Sequence, residues 1–144
     1  MAKRRVVVTG LGIISPVGND VESFWQALLA GKSGIGPLTT FDSSAFDSQI
    51  AGEVKDFDPL KYMDSKEAKR MEKFAQYAVA ASKHAVSDAR LDLSKENTER
   101  AGVLIGCGIG SLRIVEQEYK TYLEKGPSRI TPFMVPLMIV NEAA

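Results

Sequence analysis

The sequence predicts an α/β fold built from βαβ units, and three observations carry that reading. Val6-Val7-Val8, behind the basic pair Arg4-Arg5, is the continuous apolar run of a strand buried on both faces of a parallel sheet. Gly10 and Gly12 then free the backbone for a tight turn, and Asn19 and Asp20 offer side-chain oxygens to cap a helix. The same order returns later: an apolar strand over 101–106, the glycine turn Gly106-Cys107-Gly108-Ile109-Gly110-Ser111, and another helix.

The first helix is the clearest element. Val21, Phe24, Trp25, Leu28 and Leu29 fall at i, i+3, i+4, i+7 and i+8, one apolar face, and Gly31 ends it. Residues 33–59 read as a surface excursion with a short strand near 51–54. Asp64 and Glu67 have capping-box spacing and open a long helical pattern through Met71, Phe74, Ala75, Ala78, Ala81 and Ala85 to about residue 90. Its alanines predict close packing against another helix or the sheet. The later helix places Leu112, Val115, Tyr119, Tyr122 and Leu123 on one face, and Gly126 and Pro127 stop it. Residues 132–144 are densely apolar, which predicts a chain that stops inside a larger domain rather than a docked C-terminal helix.

Composition narrows the function classes. The chain has 144 residues, 44% of them hydrophobic, within the size of one domain of roughly 100–200 residues. Eighteen basic residues balance eighteen acidic ones, so no net field points to nucleic acid or an anionic membrane. One cysteine cannot form an internal disulfide and suits a reducing cytoplasm. No stretch reaches the roughly 18 apolar residues of a membrane helix, and no signal peptide is visible.

Candidate chemistry is sparse. Both glycine clusters lack the third glycine of a dinucleotide fingerprint, because Ser15 and Ser111 stand where it is needed. Cys107, between glycines at a strand's end, is a nucleophile by position alone; a small thiol filling a tight turn is the simpler reading. His84, the one histidine, reads as a helix-surface residue, and a single Cys and a single His cannot build a zinc site. Lys66, Lys69 and Arg70 fall at i, i+3 and i+4, with Arg129 later: a solvated face, or a docking patch for an acidic partner.

A run of motifs in register resembles one family. Arg4-Arg5-Val6-Val7-Val8-Thr9-Gly10-Leu11-Gly12 and Ser15-Pro16-Val17-Gly18-Asn19 look like the opening of the β-ketoacyl-acyl-carrier-protein synthases. Phe24-Trp25 with Leu29-Ala30-Gly31-Lys32-Ser33-Gly34-Ile35 resembles their first helix and its exit. Phe41-Asp42, Ala51-Gly52-Glu53-Val54-Lys55-Asp56-Phe57, Gly106-Cys107-Gly108-Ile109-Gly110 and Gly126-Pro127-Ser128-Arg129-Ile130-Thr131-Pro132-Phe133 follow in order. The Phe-Asp and Thr-Pro-Phe-Met-Val-Pro segments are closer to the synthase II members than to synthase I, and the match covers essentially the whole chain.

The resemblance implies an α/β thiolase-like fold, with residues 1–144 an incomplete N-terminal part of its first βαβ-built half. It implies a fatty-acid elongating acyltransferase that condenses an acyl thioester with malonyl-carrier protein. The nucleophilic cysteine and two histidines of that chemistry lie beyond residue 144, so this chain is expected to hold no catalytic residue, cofactor or metal. Cys107 stands where the family commonly has serine, and Ser128 where many relatives are basic. By resemblance, Lys66, Lys69, Arg70 and Arg129 dock acyl carrier protein. Ile109 lines the far end of the acyl tunnel, and Phe133 reaches that tunnel from the partner subunit of a homodimer. The alternatives are a non-catalytic chain-length-factor homologue, a small nucleotide-binding α/β domain, or a structural protein.

Overall fold

The computed structural model describes residues 3–144. It divides into two compact units, one holding the chain up to Asp58 with residues 80–91, the other residues 59–79 with 92–144.

In the first unit, helix α1 spans Val21–Leu29 and starts as the sequence predicts, with Asp20 Oδ1 accepting from the Ser23 amide at 2.8 Å. It ends at Gly31, whose φ of 63° is a left-handed conformation that glycine adopts without strain. Strand β1, Ile35–Pro37, pairs antiparallel with β2, Ile50–Gly52, with Ile35 opposite Gly52. Only the second strand is foreseen in the sequence, and it lies one residue earlier than expected. Pro37 has no N–H to extend the ladder, and Leu38 takes over by donating to the Gln49 carbonyl at 2.9 Å.

Residues 3–14 depart from the expectation of a buried strand. They form no regular element and carry no ladder, and Val6 is 92% exposed. A strand exists through its neighbours' hydrogen bonds, and among the described residues none offers them to this segment. What the segment does meet is helix α3, Lys73–Asp88. A Cβ on Gly10 would overlap the Ala85 carbonyl, and one on Gly12 the Ala81 carbonyl. The Leu11 amide donates to Asp88 Oδ2 at 2.8 Å. The alanines do mark close packing; their partner is the irregular segment bearing Gly10 and Gly12.

In the second unit, helix α2 covers only Ser65–Ala68. Its capping box is complete: Asp64 Oδ1 accepts from the Lys66 and Glu67 amides at 2.8 Å, and the Asp64 amide donates to Glu67 Oε2 at 3.1 Å. The expected continuous helix to residue 90 is therefore broken, and α3 begins only at Lys73. Gln76 Nε2 stabilises the break by donating to the carbonyls of Ala68 and Met71 at 2.9 and 3.0 Å.

Helix α4, Leu112–Lys125, is capped by Ser111 and stops at Gly126, φ 82°, as its sequence signals require. The 3₁₀ turn Pro127–Arg129 and the short helix α5, Met134–Met138, pack against it. The buried side of α4 is not the predicted one. Ile114 and Glu118 are inside, whereas Leu112, Tyr119 and Leu123 are each more than 60% exposed. The same holds for α1, where only Ala27 is buried. The strand expected over 101–106 does not form: the segment carries no ladder, and Leu104 is 99% exposed.

Candidate functional site

The four cations singled out in the sequence are all exposed. They do not share one helical face, because α2 ends before the spacing completes. Lys66 lies in α2, Lys69 is its C-cap, and Arg70 lies beyond, its amide on the Glu67 carbonyl at 2.9 Å. The turn brings Arg70 across Phe133, with the guanidinium carbon 5.4 Å from the ring centroid. A cation picked for docking thus covers an aromatic picked for the acyl pocket.

Arg129 sits in the turn after α4, and the chain beyond it is tethered. The Thr131 amide donates to Glu118 Oε2 at 2.8 Å, and Glu118 is only 6% exposed. A buried carboxylate is costly unless hydrogen-bonded, so this contact fixes the loop that carries Arg129 and Phe133. Glu118 was not singled out in the sequence: beside Glu116 and Lys120 it reads as one more charge on a wet helix.

The glycine turn holding Ile109 is pinned on several sides. The Gly110 amide donates to Cys107 Sγ at 3.2 Å. This favours the turn-filling reading of the thiol over the nucleophile. Gly110 has φ 79°, and a Cβ there would overlap the Met138 carbonyl, which also accepts from the Ser111 amide at 3.4 Å. Ser111 Oγ donates to Glu72 Oε2 at 2.8 Å and accepts from the Ile114 amide at 3.3 Å. Arg113 completes the cluster as a two-toothed partner, Nε to Glu72 Oε2 at 3.2 Å and Nη2 to Oε1. Ile109 itself is 66% exposed and Phe133 46%.

The remaining candidates resolve on geometry. His84 is half-buried and lines a hollow of about 270 Å³ with Leu11, Asp20, Val21, Ser87 and Asp88. Two acids, Asp20 and Asp88, share that hollow with it. Hydrogen bonds from the Ser23 amide and hydroxyl hold the Asp20 carboxyl below its usual range, and the charge of His84 adds to the effect. The first glycine cluster has the backbone of α3 against Gly10 and Gly12, where a dinucleotide's pyrophosphate would need space. Among the described residues, no three His, Cys, Asp or Glu converge to hold a metal ion.

A glycine-rich turn leading into a capped helix occurs twice, at Asp20 and at Ser111, and fits an α/β thiolase-like fold. Comparison with solved structures gives the same class: the ishigamide ketosynthase/chain length factor superposes with a TM-score of 0.82 at 32% identity, over 99% of this chain and 36% of that one. A type II polyketide ketosynthase in complex with its acyl-carrier protein superposes at 0.77, with 26% identity, over 95% of this chain and 35% of that one. The family model for the β-ketoacyl synthase N-terminal domain matches residues 3–144, and the chain belongs to that family. The 3-oxoacyl-[acyl-carrier-protein] synthase 2 of Synechocystis is 51% identical over all 144 residues. The chain spans 35% of the length of that relative.

Proposed function

We propose that these residues are the N-terminal third of a 3-oxoacyl-acyl-carrier-protein synthase that elongates fatty acyl chains. The observation that carries the proposal is the 51% identity to a synthase 2 along the whole chain, with no unmatched segment. In the complete enzyme an acyl group passes from its thioester to a cysteine thiolate, releasing the carrier thiol. Malonyl-carrier protein then loses CO₂, and its enolate carbon attacks the acyl thioester, forming the new C–C bond as the cysteine thiolate leaves. Hydrogen-bond donors aimed at the developing oxyanions lower both barriers.

In this reading the present residues bind and measure rather than react. Lys66, Lys69, Arg70 and Arg129 receive the acidic face of the carrier protein, Ile109 closes the far end of the acyl tunnel, and Phe133 enters that tunnel across a homodimer interface. The enzyme works in the cytoplasm. Open apolar segments such as Val6 and Leu104, 92% and 99% exposed, agree with a sheet completed by further chain. A second reading is a non-catalytic chain-length factor, favoured by the ketosynthase/chain length factor superposition, although identity there is 32% against 51% to the synthase.

The test is to incubate the complete protein with acyl- and malonyl-carrier protein and follow the 3-oxoacyl product by mass spectrometry. Product and a covalent acyl-cysteine intermediate support the synthase. A pure protein that forms neither, yet changes the product length of a separate synthase, supports the chain-length factor.

A further inference from the structure

We infer that Glu72 is a positioning residue that sets acyl-length specificity by holding the turn on which Ile109 stands. The inference rests on the tunnel role proposed for Ile109. Glu72 is 8% exposed and lies at the break between α2 and α3, 39 positions before Ser111 in the sequence. Its side chain reaches none of its own helix's free amides; it goes to the glycine turn instead.

Both carboxylate oxygens are used. Oε2 accepts from Ser111 Oγ and Arg113 Nε, and Oε1 from Arg113 Nη2. Bidentate, charge-assisted contacts of this kind fix orientation as well as adding strength. Because the Ser111 hydroxyl gives its proton to Glu72, its lone pairs face the Ile114 amide, and the cap of α4 and the end of the turn are set by one contact. Ile109 is two residues from that anchor. The intervening Gly110, in its left-handed conformation, lets the backbone double back against Met138. A wall residue on a glycine turn has no stiffness of its own. Its position is inherited from Glu72 on one side and Met138 on the other.

Releasing Glu72 should therefore let Ile109 retreat and move the length cut-off toward longer chains. The experiment uses the complete synthase carrying Glu72→Ala, Glu72→Gln, Ser111→Ala or, as a control, Ile109→Phe. It reads kcat/KM for short and long acyl donors and amide hydrogen exchange across 107–111. Glu72→Ala and Ser111→Ala should raise the long-to-short ratio by about tenfold, the scale of one charge-assisted hydrogen bond, and speed exchange in the turn. Glu72→Gln, which keeps an oxygen for Ser111, should retain most of the native ratio. Ile109→Phe should lower it.

An unchanged ratio in Ser111→Ala and Glu72→Ala, with all donors slowed alike or a lower Tm alone, overturns the inference while a selective Ile109→Phe leaves the tunnel standing. A flat response to Ile109→Phe overturns the tunnel itself, and specificity control by Glu72 falls with it. Ser111→Ala decides the matter if Glu72→Ala does not fold.

Discussion

Gly12 shows how a single missing side chain sets the spacing of two backbones. A Cβ on it would overlap the Ala81 carbonyl and the Ala85 amide of α3, so an added methyl must push the segments apart. Gly12→Ala is expected to cost about 1–3 kcal/mol in urea denaturation of the complete protein, the range for overpacking a tight contact. Gly106→Ala, with nothing within 4 Å of its Cβ, should stay within about 0.5 kcal/mol. If both lose equally, the contact with α3 is not the cause, because chain stiffening by an added methyl would stabilise the fold. Glu53 is a second residue with a readable signature. Its exposed carboxyl accepts from the Thr39 hydroxyl at 2.6 Å and the Thr39 amide at 3.0 Å, then from Thr40, and its pKa is lowered to about 2. A value depressed on folding means that the clamp contributes fully above the ordinary 4.5 and is lost as pH falls through about 2. Following the Thr40 amide by NMR should give a midpoint near 2, whereas one near 4.5 would show that the clamp does not form.

Elements were legible where their signals are local. The cap at Asp20 and the stops at Gly31 and Gly126 lie within a turn of the helices they bound, and α1 and α4 fall where those residues require. The α2–α3 break was not legible, because helical propensity does not register what holds it: Gln76 on the Ala68 and Met71 carbonyls, and Glu72 on the distant Ser111 and Arg113. Glu72 and Glu118 were missed as site residues for the same reason, since a buried glutamate and a wet one look alike in sequence. The break also changes the proposed docking patch. Lys66 and Lys69 stay on the tip of α2, whereas Arg70 turns to Phe133. Reversing Lys66 and Lys69 to Glu in the complete enzyme should raise the apparent KM for carrier-linked substrate severalfold. The effect should shrink as ionic strength rises, because exposed charges act through screened fields. Activity on an acyl-CoA should stay within about twofold, as exposed charges add little to stability. Equal losses on both substrates would make the tip structural.

At the scale of the molecule, apolar strand-like segments lie open where the sequence pattern calls for burial. Val6, Val8 and Leu104 are 92%, 79% and 99% exposed, whereas Ala75 and Ala80, which are fully buried, are small. Periodicity reports what a segment is suited to bury, not which chain supplies the partner. This is why the α/β class was readable and the pairing was not. Chemistry follows the same division. Cys107 uses its sulfur to close a turn, so the 144-residue chain incubated with acyl- and malonyl-carrier protein should give no 3-oxoacyl product and no adduct on Cys107. A stable acyl adduct there would assign the thiol a catalytic part.

Helix α4 grips two distant pieces of chain at fixed heights: Glu72 near its start, through Ser111 and Arg113, and Thr131 from Glu118 farther along. These grips act like two teeth cut on one shaft. A single residue inserted between Arg113 and Glu118 would swing Glu118 by about 100° and lift it about 1.5 Å, throwing the second tooth out of mesh while the first stays engaged. Length changes are therefore barred from that stretch of α4, whereas the exposed excursion between β1 and β2 can absorb them.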